Sequence, residues 1–161
     1  MHLAVRILSV LALAGALVIP RLRWRRAAFG IFVALGLCSF PLRAGWPAEP
    51  LAPTACELLV DRALALHSFR NTPHIVLFAL CFLLARAQFP RPGPGRHAGR
   101  RASAGAFAVT LAVGALVELA EGASGAGHCR LRDLLPDGAG ALIGWAAAAA
   151  IVAGWDAVAA A

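Results

Sequence analysis

Five apolar runs divide the chain, each bounded by charge: Ile7–Pro20, Ala27–Leu42, Asn71–Ala85, Ala102–Val117 and Gly138–Trp155. They hold 14, 16, 15, 16 and 18 residues without an acid or an arginine. A helix needs about 20 residues to cross hydrocarbon, with a range of about 17–25. Flanking arginines that snorkel to the headgroups recover about a turn at each end. The pattern predicts an all-α integral membrane bundle of about five transmembrane helices, one multi-pass domain over residues 1–161. The first run is the weakest, because Arg6 crowds its start. It has the length of a secretory h-region, but Arg21, Arg23, Arg25 and Arg26 follow it with no small-residue cleavage pattern, so it reads as retained.

Between the runs, Ala55–His67 alternates apolar and charged positions at helical spacing and predicts a short helix lying on the membrane surface. Pro90–Ser103 is rich in Pro, Gly and Arg and reads as a solvated loop that includes His97. No internal repeat is visible. Trp24, Trp46 and Trp155 fall near run ends, as belt aromatics do, and Trp145 falls inside a run, where it should pack within the bundle.

Composition strengthens the membrane reading. Hydrophobic residues make up 60% and charged residues 14%, with mean hydropathy +0.75. Soluble domains run at about 45–50% apolar and about 25% charged. All 15 basic residues are Arg, against eight acids, for a net charge of +7. A nucleic-acid partner is not expected, because these arginines sit in short clusters between apolar runs rather than along a polar face. Membrane lipids are the expected partner of that charge.

The arginines also set orientation. Residues 21–26 carry four, and residues 86–101 carry five, with no acid in either segment. The other two connections hold seven of the eight acids. The Arg-dense segments should be cytoplasmic. This predicts a plasma (inner) membrane protein with its N-terminus outside and its C-terminus inside.

That topology gathers polar residues on the outer side. His67, Arg70, Asn71 and His74 lead into the third run, Glu118 and Glu121 close the fourth, and His128, Arg130, Arg132, Asp133 and Asp137 lead into the fifth. Ionisable groups at a membrane boundary are expensive and mark a candidate site. The ligand-binding candidates are His74, Glu118, Glu121, His128, Arg130, Arg132, Asp133 and Asp137. Glu118 should find its partner in Arg130 or Arg132, the bland alternative being a structural ion pair. Asp133 and Asp137, four apart at a helix start, can serve as plain helix caps. Pro136 fits the same first turn. Gly140 and Gly144 form a small-residue stripe for close helix packing, expected against the fourth run at Gly114 and Gly122. Cys56 and Cys129 share the outer side and are expected to pair as a disulfide, with two free thiols as the alternative. Cys38 and Cys81 should be inert core residues. No CxxC pattern or other metal signature is present, and neither a metal nor a cofactor is expected.

The stretch Glu118–Gly144, ELAEGASGAGHCRLRDLLPDGAGALIG, resembles the VanZ-like membrane family. That family carries Glu, then Gln three on, then Asp fifteen after the Glu, then Asn four on, then two Gly four apart. Glu118, Asp133, Gly140 and Gly144 stand at those spacings, and His74 with Phe78 fits an upstream His-aromatic motif. The region covered is about 74–144. Glu121 replaces the usual Gln and Asp137 the usual Asn. The position of a family Arg, six before the Asp, holds Gly127, leaving either Arg130 or Arg132 as substitute or a different site. The Asp-Lys pair that normally precedes the His is missing.

The resemblance implies a small multi-pass membrane protein of the cell envelope, in a family whose founder is linked to low-level glycopeptide (teicoplanin) resistance. It supplies no reaction. The leading expectation is a non-catalytic protein holding a polar or anionic headgroup, such as a lipid-linked envelope precursor, or a glycopeptide. The alternatives are an intramembrane enzyme using His74 or His128 with a carboxylate, its metal variant using His74, His128, Glu118 and Asp133, and a small transporter.

Overall fold

The computed structural model describes residues 2–43, 53–58, 61–70, 72–90, 96–125 and 127–159. Its helices are α1 (His2–Val18), α2 (Leu22–Arg43), α3 (Arg62–Ser68), α4 (Thr72–Ala87), α5 (Arg96–Ser124) and α6 (Leu134–Ala159), the last entered through a 3-10 turn at Leu131–Asp133. The all-helical class is the observed one. Gly99–Ser124 and Leu131–Ala153 are each long and apolar enough to cross a membrane. Joined across a 70° bend, α3 and α4 make a third candidate span, and Ile7–Val18 is a shorter apolar helix. Large apolar side chains stand exposed along these helices, among them Val10, Leu11, Val76, Leu77, Leu119, Leu142, Ile143 and Ile151. Such surface is unfavourable in water and suited to lipid.

Alanine and glycine dominate the helix contacts. Phe82, Ala85, Ala106 and Ala141 are fully buried where α4, α5 and α6 meet, with Trp145 packed between Phe82 and Phe107. The closest approach is between α4 and α6. A Cβ built on Gly140 would collide with the Ile75 carbonyl, and one on Gly144 would lie 2.6 Å from the Ala79 carbonyl. The glycine stripe therefore packs on α4, the third apolar run, and not on the fourth as expected. Gly114 of α5 faces Asp137, and Gly122 faces Cys129 and the Thr54 carbonyl. In lipid, association rests on such packing, and the backbones meet where no side chain intervenes.

Three local expectations are corrected. The helix expected over 55–67 begins only at Arg62, where Asp61 caps it by accepting from the Ala63 N–H at 3.3 Å. Cys56 and Glu57 are extended instead, because a second segment pairs with them. The loop expected over 90–103 is helical from Arg96, past the last proline of the connection, where Arg and Ala favour helix. Residues 91–95 lie outside the described part. Cys38 is exposed and Cys81 half-buried, because each helix presents one face outward. Trp46, Asn71, Arg91 and the Trp155 side chain also lie outside the described residues.

The connections at the two ends of the bundle differ. At one end the Gln88 side-chain amide donates to the carbonyls of Leu84 and Ala16, and Arg26 Nε donates to the Gln88 carbonyl at 2.9 Å. These bonds bring together the end of α1, the start of α2 and the end of α4. The two Arg-dense segments thus share one end. The acid-rich segments share the other, where Cys56 is bonded to Cys129.

Gly140→Ala should destabilise the protein by roughly 1–3 kcal/mol, because the added methyl meets backbone rather than a movable side chain. Gly30, with nothing within 4 Å of its Cβ position, is the control: Gly30→Ala should be neutral or stabilising. Thermal unfolding of the two detergent-solubilised variants checks this.

Candidate functional site

The site is assembled at the acid-rich end by the starts of α4 and α6, the end of α5 and two crossing segments. Residues 53–58 run beside residues 122–131. The Thr54 N–H donates to the Gly122 carbonyl at 2.9 Å, the Glu57 N–H to the Cys129 carbonyl at 2.8 Å and the Leu131 N–H to the Glu57 carbonyl at 3.0 Å. The Thr54 hydroxyl donates to the Gly127 carbonyl at 3.3 Å. The Cys56–Cys129 disulfide joins the two segments covalently, across a sequence separation of 73. The turn that starts the second segment uses Gly125 at φ 64°, the left-handed conformation favoured after a helix end.

This strap fixes the arginines. Arg132 Nη1 lies 2.7 Å from Glu57 Oε1, and Arg130 Nε lies 3.6 Å from Glu57 Oε2. The Arg130 Nε atom is buried and makes no hydrogen bond. Glu118, only 4% exposed, is met by Arg130 through its backbone: the N–H donates to Glu118 Oε2 at 2.7 Å. The expected side-chain pairing of Glu118 with Arg130 or Arg132 is thus corrected. Glu57 takes both guanidinium groups because its strand runs directly beside them.

Deeper in the bundle, His74 Nδ1 lies 3.2 Å from Asp137 Oδ1. The Asp137 side chain is 1% exposed and that of His74 is 27% exposed. Gly114 leaves the space that Asp137 fills, since a Cβ there would stand 2.6 Å from its Oδ2. The imidazole also stacks on Phe78, with ring centroids 6.1 Å apart. Asp133 Oδ1 accepts from the Ser68 hydroxyl at 3.0 Å. Both aspartates lie in first turns, as expected of a helix start, and also face side chains of α3 and α4. Asp133 and Glu118 lie within electrostatic reach of His74. The structure thus pairs His74 with Asp137, while Asp133 and Glu118 are held by separate partners, Ser68 and the Arg130 N–H.

The remaining candidates sit around this group. Arg130 and Arg132 form its rim with Glu57. Glu121 turns its carboxylate toward Gly127, against which any side chain would collide. His128 is exposed on the connecting segment, apart from His74. Among the described residues, no three His, Cys, Asp or Glu side chains gather as metal ligands.

Glu57 and Ser68 were not among the sequence candidates. Glu57 had a usable signal: pairing Cys56 with Cys129 sets its neighbour beside Arg130. Ser68 had none, because the helix break between α3 and α4 decides where it points.

Chemically, the site is an acidic cluster with one imidazole, next to a strap that carries two guanidinium groups. The carboxylates can accept hydrogen bonds from hydroxyl or amine groups. The arginines can donate to phosphate or carboxylate. No protein-family model, curated protein or solved structure matches this chain.

Replacing Cys56 and Cys129 by Ser, or reducing them, should destabilise the fold by about 2–4 kcal/mol through the long closed loop. Proteolysis should then cut near residues 53–58 in the reduced protein and spare the oxidised one. Thermal unfolding and limited proteolysis with and without reductant read both effects.

Proposed function

We propose that this chain is a VanZ-like, multi-pass protein of the plasma membrane that holds a polar headgroup at the recess formed by His74, Glu118, Asp133 and Asp137. The observation that supports this reading is the His74–Asp137 hydrogen bond with Asp133 and Glu118 within electrostatic reach, at the end of the bundle opposite the Arg-dense connections. A headgroup with hydroxyl or amine donors and an anionic group matches both parts of the site. A lipid-linked envelope precursor has that chemistry, and capture of such a molecule would link the protein to glycopeptide tolerance, as in the family it resembles. Five spans, with the N-terminus outside and the C-terminus cytoplasmic, put the recess at the outer leaflet, since the Arg-dense end belongs on the cytoplasmic side.

A second reading rests on one feature. The His74–Asp137 hydrogen bond is the arrangement in which a carboxylate orients an imidazole for proton transfer. In that reading the chain is an intramembrane enzyme acting on a lipid headgroup, with Arg130 or Arg132 stabilising developing charge.

Reporter fusions after residues 58 and 128 should report the outside, and a fusion after residue 90 the cytoplasm. Opposite results would reverse the orientation. Asp133→Asn and Glu118→Gln should each weaken binding of a polyprenyl-diphosphate-linked glycan by about tenfold or more, as expected when a charge-assisted hydrogen bond is lost. Both should still accumulate in the membrane; binding at wild-type strength would overturn the reading. Turnover of that lipid, followed by mass spectrometry and lost in His74→Gln with binding kept, would select the enzyme.

A further inference from the structure

The second polar feature of the bundle lies at its other end. There an open groove of about 640 Å³ is lined by Arg100, Arg101, Ala104 and Trp145. The two arginines are adjacent and exposed near the start of α5, one residue past Gly99, where the membrane-crossing stretch begins. Ala104 and Trp145 form its apolar wall, with Trp145 anchored behind by Phe82 and Phe107. The groove is therefore almost wholly apolar inside, with two exposed arginines at its edge. Seven of the chain's eight acids lie in the connections of residues 43–70 and 118–137, and the eighth, Asp156, in the last turns of α6. The recess proposed above makes no use of this groove.

We propose that the groove binds an anionic phospholipid, its phosphate on Arg100 and Arg101 and an acyl chain along Ala104 and Trp145. Paired guanidinium groups suit a phosphate through charge-assisted hydrogen bonds, and basic recesses between helices are where anionic headgroups are held. The apolar wall distinguishes a lipid from a free anion. A zwitterionic lipid carries a cationic group that two arginines repel, so the groove discriminates by net headgroup charge. The position of Arg100 and Arg101 at the boundary fits a lipid that remains in its own leaflet.

The test uses Trp145 as the reporter. In a full-length chain carrying Trp24→Phe, Trp46→Phe and Trp155→Phe, reconstituted into phosphatidylcholine vesicles, Trp145 is the sole indole. Phosphatidylglycerol with brominated acyl chains should quench it with a relative association constant on the order of ten over brominated phosphatidylcholine. Arg100→Gln with Arg101→Gln should bring the ratio to about one, and Arg100→Lys with Arg101→Lys should keep most of it, since it keeps the charge. A wild-type ratio near one, or a high ratio that survives the glutamine pair, overturns the proposal. Loss of the ratio in millimolar inorganic phosphate also overturns it, because the groove would then be an anion site. The wild-type ratio needs no change in the groove, so it decides even if the glutamine pair fails to accumulate. Quenching here is independent of glycan binding at the recess, so either site can fail without the other.

Discussion

The backbone contact of α6 on α4 sets the geometry of the candidate site. Gly140 and Gly144 let α6 approach until its Cα atoms touch the carbonyls of Ile75 and Ala79. That contact fixes the register of the two helices. Asp137 is one turn before Gly140, and His74 is the neighbour of Ile75. With the helices locked at Gly140, Asp137 and His74 must face each other. Gly114 completes the arrangement from α5 by leaving a space for the carboxylate. A methyl group at any of these positions would push apart the elements that hold the acid–imidazole pair. Small residues here therefore have a chemical consequence as well as a packing one.

The partition of charge at that end follows from the strap. Seen only as nearby charges, Glu118, Arg130 and Arg132 suggest a buried ion pair. A buried pair gains little once desolvation is counted, unless its hydrogen bonds are complete. The fold separates the roles instead. Glu118, nearly inaccessible, receives a backbone N–H, which costs no side-chain ordering. The guanidinium groups, half-exposed on Arg130 and largely buried on Arg132, pair with Glu57. The disulfide makes this durable, because it holds the strand carrying Glu57 against the segment carrying both arginines. The inner cluster is left acidic and the adjoining strap basic.

Much of the fold was legible because hydrophobic runs mark helices and arginine-dense connections mark a common end of the bundle. The helical class, the five apolar runs and the grouping of the acid-rich connections could be read from the chain. The two cysteines could be placed on a common side, and the disulfide now found between them explains the position of Glu57. What could not be read is which helix lies beside which. The glycine stripe announces a close neighbour without naming it, so α5 was expected where α4 stands. Likewise, Ala55–His67 has helical periodicity, yet the hydrogen bonds of Glu57 to Cys129 and Leu131 hold its first part extended. Tertiary pairing overrode a local pattern. The partner of Glu118 was missed for a related reason: sequence shows side-chain charge but hides the direction of a backbone N–H.

The two ends of the bundle satisfy their polar groups by different means, and the difference bears on where motion can occur. At the Arg-dense end, the Gln88 amide and Arg26 donate to main-chain carbonyls left free where helices end. Those bonds tie three helices directly. At the acid-rich end, the polar groups are joined through a strap that is one extended segment thick and held by one covalent bond. The half-exposed His74 is the route from that surface to the buried Asp137. A group entering there meets the imidazole before it meets that carboxylate. Access separates the two surfaces: one leads through a half-exposed imidazole to a buried carboxylate, and the other lies open beside an apolar wall.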